Sequence, residues 1–171
     1  RDLHTNARRQ RQMCIRDREV SGLFSLEKLR VYFNSDIIGT QLGGAMKNVI
    51  AIACGFAKGK NLGENAKAAI ITRGISEIVK LGVKMGAKRK TFYGLSGIGD
   101  LTLTCSSLKS RNTKFGYDLA KGRKLNNLKV DCTLEGFESC ESICKLGQKY
   151  EVELPLCNSC LLYTSPSPRD A

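Results

Sequence analysis

Apolar residues along this chain fall in helical runs rather than in alternation. The longest run, IIGTQLGGAMKNVIAIACGFAKG, covers residues 37–59, and Asp36 before it is a side chain suited to cap a helix N-terminus. A second helix is predicted over residues 65–86, NAKAAIITRGISEIVKLGVKMG, where Ile71, Ile75, Ile78 and Val79 share a face and Gly86 is a natural terminator. Shorter helices are predicted at TKFGYDLAKG, residues 113–122, and at TLEGFESCESICKLGQKY, residues 133–150. The second of these has Thr133 as its N-cap and an apolar line through Phe137, Cys140 and Cys144. LRVYFN, residues 29–34, reads as a short strand. YGLSGIGDLTLTCSSLKSRN, residues 93–112, is rich in Gly, Ser and Thr and reads as a connecting segment. The pattern predicts a mostly helical domain without internal repeats.

Length and apolarity make the 37–59 run a candidate membrane span, but Lys47 stands near its middle. A lysine there costs about 2.5–3.5 kcal/mol on insertion, and Gln41 and Asn48 add to it. A buried helix of a soluble domain is the expected outcome. The Gly39-x-x-x-Gly43 spacing would let another backbone approach it closely.

The charge changes the picture at the ends. The chain of 171 residues carries a formal +12, and RDLHTNARRQRQMCIRDR, residues 1–18, holds six arginines against two aspartates. That segment has no apolar period and no secretory h-region. The last stretch, CLLYTSPSPRDA, breaks the helical pattern with Ser/Pro alternation. Both resemble library-adapter sequence read through as protein. Residues 1–18 are therefore expected to be non-native or a disordered basic segment, residues 160–171 a non-native tail, and residues 19–159 a truncated helical domain. The only histidine, His4, lies in the first of these segments, which disfavours Ser-His-Asp chemistry and Cys/His metal sites in the domain. Most of the cysteines read as small buried hydrophobes in a reducing cytoplasm. CNSC at 157–160 has CxxC spacing but no second pair, so no metal site is expected.

Two places carry candidate chemistry. Lys47, in GGAMKN, has Gly43, Gly44, Ile50 and Ala51 three and four residues away, so on a helix it stands in a patch cleared of large side chains. GIGD at 97–100 places Asp100 after two glycines, and Ser110, Arg111 and Asn112 then supply a hydroxyl, a guanidinium and an amide suited to a phosphate. GLSGIG is not the dinucleotide GxGxxG, and GFAKGKN is not a P-loop.

Taken together, RVYFNSDIIGTQLGGAMKNVIAIACGFAKGKNLGENAKAAIITRG, then GLSGIGDLTLTCSSLKSRNTKFG, then LEGFES resembles the C-terminal domain of bacterial NAD(P)-dependent glycerol-3-phosphate dehydrogenase. The resemblance covers about residues 19–159. It implies a helical substrate domain of the 6-phosphogluconate dehydrogenase C-terminal-domain type, with the Rossmann domain lying outside this chain. It also implies reversible reduction of dihydroxyacetone phosphate to sn-glycerol 3-phosphate for phospholipid synthesis. Lys47 resembles the catalytic lysine, and Asp100, Ser110, Arg111 and Asn112 resemble substrate contacts. Arg111, Thr133 and Glu135 resemble contacts to NAD or NADP, although Thr133 stands where the family usually has an apolar residue. The implied partner is a small molecule rather than nucleic acid or a bilayer, in the cytoplasm, and a homodimer is compatible with it. The isolated chain is expected to be inactive. Competing readings are another lysine-dependent dehydrogenase domain, acting on a hydroxy acid or ketopantoate, a basic nucleic-acid-binding module, and a purely structural helical module.

Overall fold

A computed structural model describes residues 19–20, 22–24, 32–123 and 135–164. The chain divides into two units, residues 1–35 and residues 36–171. In the first, residues 19–20 and 22–24 are helical and residues 32–35 have no regular structure. The strand expected at 29–34 is thus not formed at 32–34. A strand needs a partner to satisfy its backbone, and none exists among the described residues.

The second unit is helical among its described residues. Helix α1, Ile37–Gly59, begins where Asp36 accepts a hydrogen bond from the Gly39 N–H at 2.9 Å. The same carboxylate accepts from the Lys88 N–H and the Thr91 hydroxyl, both at 2.7 Å, so one cap joins two distant segments. By length and composition α1 could cross a bilayer. It is instead the central helix, with Met46, Val49, Ile50 and Ala51 fully buried, and it packs against every other element described below.

Helix α2, Gly63–Lys84, starts two residues before the expected position. It ends as predicted at Gly86, whose φ of +92° is left-handed and suits glycine. The Ala87 N–H donates to the Gly82 carbonyl and the Gly86 N–H to the Val83 carbonyl, a Schellman termination. The short α3, Arg89–Phe92, drives the Phe92 ring into the core, where a side chain at Gly82 would collide with it.

Residues 93–112 depart from expectation, because most of this segment is helical. Leu95–Gly99 forms a π-helical turn and Asp100–Ser106 forms α4. Leu101 and Cys105 are one turn apart and buried, and burying that pair outweighs the weak helix propensity of the threonines and serines. The hydroxyls of Thr104 and Ser106 donate back to the carbonyls of Asp100 and Thr102, both at 2.7 Å, and so remain satisfied within the helix.

Helix α5, Arg111–Ala120, is capped by the Ser110 hydroxyl, which accepts from the Thr113 N–H. It meets α1 backbone to backbone. A side chain at Gly55 would collide with the Thr113 carbonyl, and one at Gly116 with the Ile52 carbonyl. The closest backbone approach to α1 therefore uses Gly55, with Gly59 also against α5, rather than the expected Gly39 and Gly43 pair. Gly43 still faces a backbone atom, since a Cβ added there would lie 3.3 Å from the Ser96 carbonyl oxygen.

Helix α6 spans Glu135–Lys149 and buries Cys140 and Cys144, while Phe137 packs edge-on against Phe115. The expected Thr133 cap lies outside the described residues. Helix α7, Pro155–Thr164, was not anticipated from the sequence pattern and runs past the boundary expected at Ser159. Pro155 occupies the first turn, where no N–H is required. The buried Glu77 carboxylate on α2 accepts from the N–H groups of Leu156 at 2.6 Å and Cys157 at 3.2 Å. A cap supplied from so far along the chain leaves no local signal. All six described cysteines are free and buried, and Cys157 and Cys160 sit within the core beside Val49 and Cys140.

Candidate active site

Lys47 projects from the middle of α1 on the side that meets the π-helical turn and α4. Its Nζ lies 2.5 Å from Oδ2 of Asp100, the first residue of α4. The π-helical turn that delivers Asp100 is seated tightly, since a side chain at Gly97 would strike the Phe92 backbone. One turn on, the Thr104 hydroxyl donates to the Asp100 carbonyl and stands 3.4 Å from Oδ1. The Thr113 hydroxyl in turn donates to the Thr104 carbonyl at 2.8 Å, tying α4 to α5. The ion pair is partly open, with side-chain exposures of 23% for Lys47 and 36% for Asp100, so both groups are within reach of a ligand. Pairs this exposed contribute about 0–1 kcal/mol to stability, and the contact therefore matters for geometry more than for folding.

A second polar cluster stands beside the first. Asn48 donates from Nδ2 to Oε2 of Glu135 at 2.9 Å, and Oε1 of Glu135 lies 3.6 Å from the Arg111 guanidinium. Asn112 accepts from the Gly136 N–H at 3.1 Å. Gly136 admits this approach because a Cβ there would lie 2.7 Å from the Asn48 carbonyl and 2.8 Å from Oδ1 of Asn112. Helices α1, α5 and α6 thus meet at one corner, with Arg111 on the accessible side at 57% exposure.

The structure brings Lys47 into contact with Asp100, and Arg111 into pairing with Glu135. Asn112 is 8% exposed and engaged with the α6 backbone, so its observed role is to lock two helices together. Ser110 caps α5. Thr133 lies outside the described residues. The patch expected to be cleared around Lys47 is open at Gly44, which has no atom within 4 Å of an added Cβ, while the Ser96 carbonyl occupies the space at Gly43. Thr104 was missed from sequence, because its i+4 relation to Asp100 has meaning only if GDLTLT is helical.

Fold and site define a class: a domain helical among its described residues, carrying a partly open ammonium–carboxylate pair with a guanidinium on a neighbouring helix. A family profile described as the C-terminus of NAD-dependent glycerol-3-phosphate dehydrogenase matches residues 36–169. The chain belongs to that family, and the matched region is its C-terminal domain. It is 50% identical over 152 residues to glycerol-3-phosphate dehydrogenase [NAD(P)+] of Francisella philomiragia, covering 86% of this chain and 46% of the relative. It is 52% identical over 128 residues to the second such enzyme of Mycobacterium tuberculosis, covering 74% of this chain and 38% of the relative. The crystal structure of glycerol-3-phosphate dehydrogenase from Coxiella burnetii superposes with a TM-score of 0.82 at 37% identity, over 86% of this chain and 46% of that one. The chain therefore spans about half the length of these relatives.

Proposed function

We propose that this chain is the substrate-binding and proton-transferring part of an NAD(P)-dependent glycerol-3-phosphate dehydrogenase. The complete protein interconverts dihydroxyacetone phosphate and sn-glycerol 3-phosphate, the backbone precursor of phospholipids. The observation that carries the reading is the Lys47–Asp100 pair at 2.5 Å, partly open and adjacent to the Arg111 and Glu135 pair.

In the reducing direction, negative charge grows on the substrate carbonyl oxygen. The Lys47 ammonium, within hydrogen-bond reach of that oxygen, stabilises the charge and gives up a proton; in the oxidising direction the amine takes the proton back. Asp100 orients the ammonium, and Thr104 holds Asp100. Arg111 offers a planar fork of donors to the phosphate, with Ser110 and Asn112 beside it. The residues present also fit a dinucleotide. Arg111 and Glu135 are both more than half exposed. A guanidinium suits a diphosphate, and a carboxylate suits hydroxyl or amide donors. When bound, NAD(P) supplies or accepts the hydride.

The reading is tested in the full-length protein that contains this chain. Lys47→Met is expected to lower kcat by about 10²–10⁴ while NADH binding, followed by fluorescence titration, is retained. Near-normal turnover would refute the role of Lys47. The 171-residue chain alone is expected to show no oxidation of NADH with dihydroxyacetone phosphate. The buried free cysteines support a reducing, cytoplasmic setting.

A further inference from the structure

Gly44 has no packing reason to be glycine. Elsewhere on α1, Gly39, Gly43, Gly55 and Gly59 each face an atom that a side chain would crowd, whereas a Cβ at Gly44 would meet nothing within 4 Å. Gly44 also lies in the helix interior, where glycine is among the costliest residues and alanine the best. The domain thus forgoes helix stability at this position without any gain in its own packing.

The position explains what is gained. At about 100° per residue, Gly44 lies angularly between Lys47 and Asn48, about 60° from the first and 40° from the second. It is one turn N-terminal to both, and helical side chains lean towards the N-terminus, so Lys47 and Asn48 overhang the turn that contains Gly44. Lys47 leads to Asp100, and Asn48 leads through Glu135 to Arg111. The open space above Gly44 therefore lies between the proton-transferring pair and the anion-binding corner.

We infer that Gly44 is a specificity-determining position: its missing side chain leaves the seat for the short carbon chain of a three-carbon phosphate monoester, whose oxygen meets Lys47 while its phosphate reaches towards Arg111. This rests on the reading of the site as one for dihydroxyacetone phosphate and sn-glycerol 3-phosphate. A methyl group at this position narrows the seat without disturbing the fold.

The experiment compares wild type and Gly44→Ala in the full-length protein, measuring KM for dihydroxyacetone phosphate, KM for NADH, and the melting temperature. The expected result is at least a tenfold rise in KM for dihydroxyacetone phosphate, KM for NADH within twofold, and a melting temperature unchanged or raised. An unchanged KM for dihydroxyacetone phosphate overturns the inference, as does a shift confined to NADH. A fall in melting temperature of several degrees also overturns it, because the glycine would then serve packing. A wild-type protein that does not turn over dihydroxyacetone phosphate overturns the reading of the site and the inference with it, whereas wild-type turnover with unchanged variant kinetics overturns the inference alone.

Discussion

Replacing Asp36 with alanine removes one carboxylate that serves two places. Its bond to the Gly39 N–H is an N-cap, worth about 1 kcal/mol. Its other oxygen accepts from the Lys88 N–H and the Thr91 hydroxyl, and a donor left unsatisfied in a protein interior costs about 1–3 kcal/mol. Thr91 is 5% exposed and has little access to water, while the Lys88 N–H is only partly buried and falls at the lower end. The loss amounts to about 3–5 kcal/mol, a large share of the roughly 5–15 kcal/mol that holds a domain together. Urea denaturation followed by far-UV circular dichroism measures it, as a lower midpoint with an unchanged slope.

The pH dependence adds a second check. Burial by itself raises the Asp36 carboxyl, but the bonds from Thr91, the Gly39 N–H and the Lys88 N–H, with the Lys88 charge, outweigh it and hold the group below the ordinary carboxylate range. A group whose folded value is depressed contributes stability above its unfolded value, about 3.9, and loses it as pH falls through the folded value. The gap between wild type and Asp36→Ala is therefore constant from pH 7 to 5 and narrows below about pH 4. A gap under about 1 kcal/mol at pH 7, or one that widens on acidification, would refute the argument.

Two further outcomes test the packing. Gly116→Ala forces a methyl group into the Ile52 carbonyl and should destabilise the domain by about 1–3 kcal/mol in the same denaturation experiment; a neutral effect would mean that α1 and α5 can separate at little cost. Glu151 holds a left-handed φ of +54° just beyond the end of α6, where the helix dipole also disfavours its charge. Glu151→Gly should therefore stabilise by about 1 kcal/mol, seen as a rise in melting temperature of a few degrees.

The limits of α1 were legible because cap, apolar run and closing glycine agree locally, and the end of α2 at Gly86 was legible for the same reason. Helix α4 was hidden by its own composition: Thr and Ser read as loop formers until Leu101 and Cys105 are seen to share a buried face. The start of α7 depends on Glu77, a partner that no local window contains. Lys47 stood out as a lysine inside an apolar helix, but its pairing with Asp100 is a tertiary fact, as is the link from Asn48 through Glu135 to Arg111. The clearing around Lys47 was half right, since Gly43 makes room for protein and only Gly44 leaves space.

The central position of α1 has a consequence for hydrogen exchange. Every element that carries a site residue rests on α1, and Met46, Val49, Ile50 and Ala51 are wholly enclosed around Lys47. Amide protons in this stretch can reach solvent only when the surrounding helices come away, so their exchange should report the global unfolding free energy. Lys47 thus sits on the slowest-opening segment of the domain, and Asp100 meets it from the first residue of α4.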